Sequence, residues 1–287
     1  MRRGALGDFA DRYGPWALVA GASDGVGAAY ARAMAERGLH VVLLARRQAL
    51  LDEVAAGLRV DFGVEARAVG VDLASADAVS EIARATEGLE IGMLMYCAGA
   101  DPSYAPFLDG PVERALSMVQ RNCIVPLQLC HHFAGPMQAR GRGGIVVLSS
   151  GAALVGSRNM VAYGASKAFD LVMTESLWAE LHEDGVDVLA LVLGLTDTPA
   201  LRRLLAARGT LAGEDDATPL PGASTADEVV ADALANLRNG PTCFVGEMLR
   251  QGAAHLGALP RNDAVRLMIA AGGGIMDAGS RNPEDGR

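Results

Sequence analysis

Short apolar runs alternate with longer stretches of helical periodicity along the first 246 residues of the chain. Runs with almost no polar side chain are typical of strands buried on both faces of a parallel sheet. They predict strands at 16–20, 40–44, 65–71, 91–96, 145–148, 186–193 and 242–246. Helical patterns are predicted at 28–37, 50–60, 76–86 and 113–138, and a further one opens at Tyr163 with Ala168, Leu171, Val172, Leu177 and Trp178 on its apolar side. The alternation predicts an α/β fold.

A glycine-rich turn separates the first strand from the first helix. Its residues are Gly21, Ser23, Asp24, Gly25, Val26 and Gly27. Gly21 permits a tight turn, while Gly25 and Gly27 let the backbone approach a pyrophosphate. The N-terminus of the following helix supplies free N–H groups and a positive dipole end. Strand, glycine turn and helix in this order predict a dinucleotide site.

The ends of the next three strands carry candidate cofactor contacts. The second strand is followed by Arg46 and Arg47, where an acid would accept from the ribose of NAD and an arginine suits the phosphate of NADP. NADP(H) is therefore the expected cofactor, in preference to NAD(H). Asp72 and Leu73 end the third strand, where an adenine edge could lie. The small residues Cys97, Ala98 and Gly99 close the fourth strand, as if a ribose crossed them.

Candidate proton-transfer groups follow the fifth strand. Tyr163 and Lys167 are four residues apart and share one helix face. A phenol is a poor base near neutral pH, and an ammonium one turn away makes the phenolate easier to form. Ser150 at the strand end could bond the same substrate oxygen. Taken alone, such a pair is usually a surface contact and such a serine is usually part of a turn.

Asn122 lies inside the predicted helix 113–138, four residues before Pro126. The proline leaves the carbonyl of Asn122 without its usual donor. Either the helix has a tolerated kink, or this carbonyl holds a water beside Lys167. Further along, residues 195–225 are expected to form a substrate lid, and the segment 224–228 resembles a helix start with acids in its first turn.

Composition limits the functional classes. The formal charge is -9 and no basic cluster interleaves with aromatics, so nucleic-acid binding is not expected. The four cysteines, Cys97, Cys123, Cys130 and Cys243, show no metal-ligand or disulfide spacing. No apolar run has the length of a membrane span. We expect a cytoplasmic, single-domain enzyme without a metal, with its core at 13–246 and an extension at 247–287. In that extension only 264–269 is amphipathic, and its glycine-rich end is expected to be mobile.

With these motifs in place, the chain resembles the NADP(H)-dependent, GxxxGxG subgroup of the short-chain dehydrogenases/reductases. Its opening is similar to the branch containing 3-oxoacyl-CoA reductases and 17β-hydroxysteroid dehydrogenases. The resemblance implies a single Rossmann-like, doubly wound domain with a seven-stranded parallel sheet. It implies that Tyr163 is the general acid/base, that Lys167 acidifies that phenol and binds the nicotinamide ribose, and that Ser150 orients the carbonyl. It also implies that Asn122 anchors a proton-relay water and that Gly194, Thr196 and Thr198 contact the cofactor.

Three positions depart from the family pattern. Ala20 replaces a threonine, the pair Tyr96 and Cys97 replaces two asparagines, and Leu193 replaces a proline. None of these changes removes a catalytic group.

The expected activity is hydride transfer between nicotinamide and a small-molecule carbonyl or alcohol. Leucines in the presumed lid, Leu201, Leu204, Leu205 and Leu211, suggest an apolar substrate, steroid-like or fatty-acyl, but they could equally serve packing. A homodimer or homotetramer is expected, because the two long helical stretches have apolar residues on more than one face. Alternatives are a non-catalytic nucleotide-binding regulator on the same fold, and a dehydratase or epimerase, which the GxxxGxG spacing disfavours.

Overall fold

The computed structural model describes residues 2–100 and 104–271, with side chains from residue 7. The strands are β1 (Trp16–Ala20), β2 (His40–Ala45), β3 (Ala66–Gly70), β4 (Ile91–Tyr96), β5 (Gly143–Ser150), β6 (Val186–Leu193), β7 (Thr196–Asp197), β8 (Ser224–Thr225) and β9 (Thr242–Phe244). The helices are α1 (Arg2–Tyr13), α2 (Gly25–Glu36), α3 (Gln48–Phe62), α4 (Ala78–Ala85), α5 (Val112–Val119), α6 (Val125–Arg140), α7 (Val161–Leu181), α8 (Pro199–Ala207), α9 (Ala226–Asn236), α10 (Glu247–Ala258) and α11 (Arg261–Ala271). A π-helical turn covers Gln120–Ile124, and 3-10 turns cover Phe107–Asp109, Gly151–Ala153 and Leu237–Asn239.

Seven parallel strands form the central sheet in the order β3-β2-β1-β4-β5-β6-β9. β7 and β8 form a separate parallel pair. Side chains that alternate along each strand enter two cores, one on each face of the sheet. Val19 and Leu43 pack with α2, α3 and α9 on one face, whereas Leu18 and Leu44 pack with α4 and α6 on the other. The doubly wound α/β fold predicted from the sequence is therefore confirmed.

The strand order reverses between β1 and β4, which are neighbours in the sheet although β2 and β3 separate them in the chain. The connections leave these two strands in opposite directions, so a crevice opens at their carboxyl ends. Ligands of open α/β sheets bind at such a switch point. The glycine turn after β1 and the small residues after β4 meet there.

Two helical predictions and one loop prediction are wrong in part. The helix predicted over 113–138 is interrupted by the π turn, because Pro126 cannot donate to the backbone. The inward face of α7 is polar: Ser166, Lys167, Asp170 and Thr174 are buried, while Val172, expected on the apolar side, is 60% exposed. In the loop 100–111, expected to lack any element, a 3-10 turn forms at Phe107–Asp109.

The chain ends also differ from the expectation. α1 precedes the first predicted strand. After residue 246 only the stretch 264–269 was expected to be helical. It lies in α11, and α10 is a further helix that was not predicted. The glycine-rich end that we expected to be mobile, residues 272–287, lies outside the described residues. Among the helices that are described, none has the length and apolar character needed to cross a bilayer.

Candidate active site

Two positions in the glycine turn after β1 are packed too closely to accommodate a Cβ atom. Gly21 has a φ of +85°, and a Cβ built on it would lie 2.9 Å from the backbone nitrogen of Ala98. A Cβ on Gly27 would lie 2.1 Å from the carbonyl oxygen of Gly21. Both glycines therefore let the turn between β1 and α2 fold tightly against the residues that follow β4.

The first turn of α2 has free backbone donors. The helix begins at Gly25, and Asp24 at the N-cap makes no capping hydrogen bond with its side chain. The N–H groups of Gly25, Val26 and Gly27 consequently remain available at the positive end of the helix dipole. Uncapped donors beside a glycine-lined crevice suit the pyrophosphate of a dinucleotide. The residues present thus fit the pyrophosphate of a nicotinamide dinucleotide.

Asp24 instead binds two arginines. Arg47 donates from Nη2 to Asp24 Oδ2 at 2.6 Å and to Ser23 Oγ at 2.9 Å. Arg203 on α8 donates to the same carboxylate oxygen at 2.8 Å. Burial raises the pKa of the Asp24 carboxyl, but the hydrogen bonds from Arg203 and Arg47 outweigh burial and leave it below its ordinary value. Arg46 is exposed and has no hydrogen bond or ion pair within 2–100 and 104–271.

The segment after β3 places its two candidate residues differently. The exposed Asp72 accepts a hydrogen bond from the backbone of Ala74 at 3.0 Å, while Leu73 is buried in the core. The start of the presumed lid lies against the glycine turn, since a Cβ on Gly25 would be 3.3 Å from Thr198 Cγ2. Thr198 caps α8 through Leu201. Thr196 hydrogen-bonds the carbonyl of Gly194 at 3.3 Å.

Gly99 brings the chain after β4 against two of the predicted catalytic side chains. Its φ is +125°, and a Cβ there would lie 2.9 Å from Asn122 Oδ1 and 3.0 Å from Lys167 Nζ. Just before it, the N–H of Cys97 extends the β1–β4 pairing by donating to Ala20 at 2.9 Å. The backbone of residues 97–99 therefore continues from β4 to the side chains of Asn122 and Lys167.

Asn122 is fully buried in the π turn. Its Nδ2 donates to the carbonyl of Gly99 at 3.3 Å and to Ser166 Oγ at 2.9 Å. Its Oδ1 accepts from Arg121 at 3.2 Å. The side chain thus joins the end of β4 to α7. The water that we expected at its backbone carbonyl stays a prediction.

Tyr96 supports the π turn, a role that the sequence did not suggest. Its ring is fully buried and its hydroxyl donates to the carbonyl of Arg121. A phenol in place of the family's asparagine therefore reaches across the core to the residue before Asn122.

Lys167 is held inside the protein with 3% of its surface exposed. Its Nζ donates to the carbonyl of Leu148 at 2.8 Å and to Asp170 Oδ2 at 2.9 Å. Asp170 was not among the predicted site residues. The available signal was an acid three positions after the lysine, on the same face of the helix.

The two serines at the end of β5 have different environments. Ser149 is buried and its hydroxyl donates to the carbonyl of Lys167 at 2.7 Å. Ser150 is half-buried, and its hydroxyl accepts from the N–H of Ala152 at 3.2 Å. A Cβ on Gly164 would lie 3.1 Å from the carbonyl of Ala152, so the first turn of α7 lies directly against this loop. Ser150 therefore begins the loop that packs against the first turn of α7, the turn that holds Tyr163.

Tyr163 lines a cleft between α7 and the segment 105–118. The other lining residues are Ala105, Pro106, Phe107, Gly110, Pro111, Arg114, Ala115, Met118, Asn159, Val161 and Ala162. Most of these side chains are apolar, and Arg114 is the cationic one among them. Tyr163 therefore borders a cleft whose other side chains are mostly apolar.

The family model for short chain dehydrogenases matches residues 15–209, which span β1 to α8. The chain belongs to the short chain dehydrogenase family. It is therefore an oxidoreductase of carbonyl and alcohol groups that uses a nicotinamide cofactor. The resemblance stated from the motifs is confirmed.

Relatives of known activity share much of this short chain dehydrogenase. A 7beta-hydroxysteroid dehydrogenase of Collinsella aerofaciens is 36% identical over 191 residues, covering 67% of this chain and 72% of that protein. One from Mediterraneibacter gnavus is 31% identical over 237 residues, covering 83% and 88%. The human very-long-chain 3-oxoacyl-CoA reductase is 32% identical over 181 residues, covering 61% and 57%.

Solved structures agree with this assignment. A structure from work on 7beta-hydroxysteroid dehydrogenase stereoselectivity superposes with a TM-score of 0.81 at 31% identity, covering 91% of this chain and 98% of the other. A short-chain dehydrogenase from Sphingobium yanoikuyae in complex with NADPH gives a TM-score of 0.71 at 30% identity, covering 84% and 92%.

Proposed function

We propose that this enzyme is an NADP(H)-preferring carbonyl reductase and alcohol dehydrogenase, with Tyr163, Lys167, Ser150 and Asn122 as its site. The observation that carries the proposal is the convergence on Gly99. Lys167 Nζ and Asn122 Oδ1 both border this residue at the switch point of the sheet. A binding protein would have no use for a buried ammonium directed at that crevice beside a phenol.

Each residue has a separate task. The cofactor, when bound, supplies or accepts hydride. Tyr163 gives its phenolic proton to the carbonyl oxygen in reduction and takes it back in oxidation. Ser150 donates a hydrogen bond to the same oxygen. The Lys167 ammonium supports the phenolate and binds the ribose, and Asn122 holds the end of β4 against α7 and anchors the relay water.

The preference for NADP(H) rests on the arginines after β2. Arg46 is exposed and unpaired among the described residues, so it is free to bind a phosphate. Arg47 is already paired with Asp24. Its guanidinium has five donors and can reach a phosphate without leaving the carboxylate. Asp72 and Leu73 border the adenine, and residues 97–99 with 194–198 enclose the nicotinamide half.

The proposed substrate is an apolar ketone or secondary alcohol, either steroid-like or fatty-acyl. The apolar lining of the Tyr163 cleft supports this class. The names of the relatives, a hydroxysteroid dehydrogenase and an oxoacyl-CoA reductase, point the same way. The lid leucines support it less, because Leu205 and Leu211 are buried and serve packing.

The direct test is NADPH consumption with steroid ketones and 3-oxoacyl thioesters, in the unmodified enzyme and in Tyr163→Phe. We expect turnover to fall by about 10²–10⁴, the usual worth of acid–base catalysis, while NADP+ still binds. Tyr30→Phe is the matched control, because Tyr30 is buried in the core and its hydroxyl has no partner among the described residues. Near-normal turnover in Tyr163→Phe would favour the nucleotide-binding regulator instead.

We also propose a homodimer or homotetramer in the cytoplasm. Apolar side chains on three neighbouring helices are exposed: Leu116 on α5 is 60% exposed, Leu127 on α6 44% and Val172 on α7 60%. Exposed apolar surface of this kind is typical of an interface. All four cysteines are free thiols, as in a reducing compartment. A monomer by light scattering at micromolar concentration would contradict the oligomer.

A further inference from the structure

Asp170 is a charged side chain inside the protein that the tasks above leave unused. It lies on α7 three residues after Lys167 and is 0% exposed. Its Oδ2 accepts from Lys167 Nζ, whereas Oδ1 has no hydrogen-bond partner among the described residues. Buried polar atoms of native proteins are almost always paired. An orphaned carboxylate oxygen here requires an explanation.

Few ionisable groups surround Asp170. Among the described residues, the groups that interact with it are Lys167 on its own helix, Tyr96 on β4, Cys123 in the π turn and Cys130 on α6. β5 has no ionisable side chain, and Asp187 on β6 is held by Arg12 and Tyr13. Lys167 is therefore the one cation that hydrogen-bonds the carboxylate within 2–100 and 104–271.

The pair is not explained by stability. Burial raises the pKa of the Asp170 carboxyl to about 6, in spite of the opposing charge and hydrogen bond of Lys167. Ionising this carboxyl therefore costs more free energy in the folded protein than in the unfolded chain. Burying an ion pair commonly gives no net stabilisation. Because ionising the buried Asp170 carboxyl is costly, its presence beside Lys167 points to a role in the site.

The geometry around Nζ shows what that role is. An ammonium has three N–H donors. Leu148 takes one and Asp170 takes another. The third remains for the side on which Gly99 and Asn122 lie. We propose that Asp170 is a positioning residue, which fixes the Lys167 ammonium so that its remaining donor serves the catalytic cleft. The proposal rests on the role of Lys167 proposed above.

Protonation of Asp170 would release this constraint. Above pH of about 6 the Lys167 ammonium donates to an ionised carboxylate, and below it the same ammonium donates to a neutral carboxyl oxygen, which is a weaker bond. Asparagine at position 170 has the same shape and stays neutral at every pH. Asp170→Asn should therefore behave at all pH values as the unmodified enzyme does near pH 5.

The test compares carbonyl reduction by the unmodified enzyme and Asp170→Asn between pH 5 and 8, with NADP+ affinity measured by tryptophan fluorescence. At pH 8 we expect kcat of the variant to be about tenfold lower and NADP+ binding to be about threefold weaker, part of the worth of one charge-assisted bond. At pH 5 both differences should disappear. A purely structural role would give a ratio that does not change with pH.

Thr174→Val is the matched control, since Thr174 is buried on the same face and bonds only the backbone carbonyl of Asp170. It should keep the pH profile of the unmodified enzyme. Equal kcat values at pH 8, or a ratio independent of pH, would overturn the proposal.

Two further measurements keep the outcomes distinct. An active Lys167→Ala refutes the function proposed for Lys167, whereas an inactive Lys167→Ala beside an unchanged Asp170→Asn refutes only the inference on Asp170. If Asp170→Asn does not fold, the unmodified enzyme decides. As the pH is lowered, its rate of carbonyl reduction should fall with a midpoint at about pH 6. A rate that does not change with pH contradicts the proposal.

Discussion

Asp170→Asn should make the protein more stable, although it impairs the site. The pKa of the carboxyl is about 6 in the folded protein against an ordinary value of 3.8. A difference of about two units, at 1.36 kcal/mol per unit, makes ionised Asp170 unfavourable by about 3 kcal/mol. In the variant, the amide oxygen can take the place of Oδ2 and the amide nitrogen that of the unpartnered Oδ1.

The pH dependence has a definite sign. The folded-state pKa of Asp170 is raised, so the stability associated with the neutral carboxyl is fully present below the ordinary pKa of 3.8 and is lost as pH rises through about 6. Asp170→Asn should therefore exceed the unmodified protein in stability by about 3 kcal/mol at pH 8, and by less at pH 5.

Urea unfolding followed by circular dichroism measures this difference. Thr174→Val, which keeps the carboxylate, should differ from the unmodified protein by the same amount at both pH values. A less stable Asp170→Asn at pH 8, or an advantage that does not shrink at pH 5, would refute the reasoning.

Three further substitutions test other parts of the site. Arg46→Ala should weaken NADP(H) by about tenfold and leave NAD(H) unchanged, because one charge-assisted phosphate contact is lost; equal losses for both cofactors in calorimetry would contradict this. Gly27→Ala should abolish cofactor binding and lower the melting temperature, since its Cβ would lie 2.1 Å from the carbonyl oxygen of Gly21; a variant that binds NADP+ normally would show that the turn can relax. Tyr96→Phe should cost about 1–3 kcal/mol in urea unfolding by removing the hydrogen bond to the part-buried carbonyl of Arg121; an unchanged midpoint would mean that the bond contributes nothing.

Local patterns in the sequence were sufficient to place the seven strands of the central sheet and the glycine turn. The strands 16–20, 91–96 and 186–193 were predicted to the residue, because a strand buried on both faces admits almost no polar side chain. Pro126 likewise marked the break in the helix around Asn122, since the missing N–H is a property of the residue itself. Gly21 and Gly27 marked the tight turn for the same kind of reason.

The contacts that join distant segments were decided by the tertiary structure. Helical spacing places Ser166, Lys167, Asp170 and Thr174 on one face, but it does not say whether that face meets solvent, an apolar core or the polar crevice. Asn122 meets Gly99 and Ser166 only because the β4 and α7 segments converge at the reversal of strand order. The sequence by itself thus determined which groups are available for chemistry. Packing around the sheet decided their partners, because burial and charge neighbours depend on segments far apart in the chain.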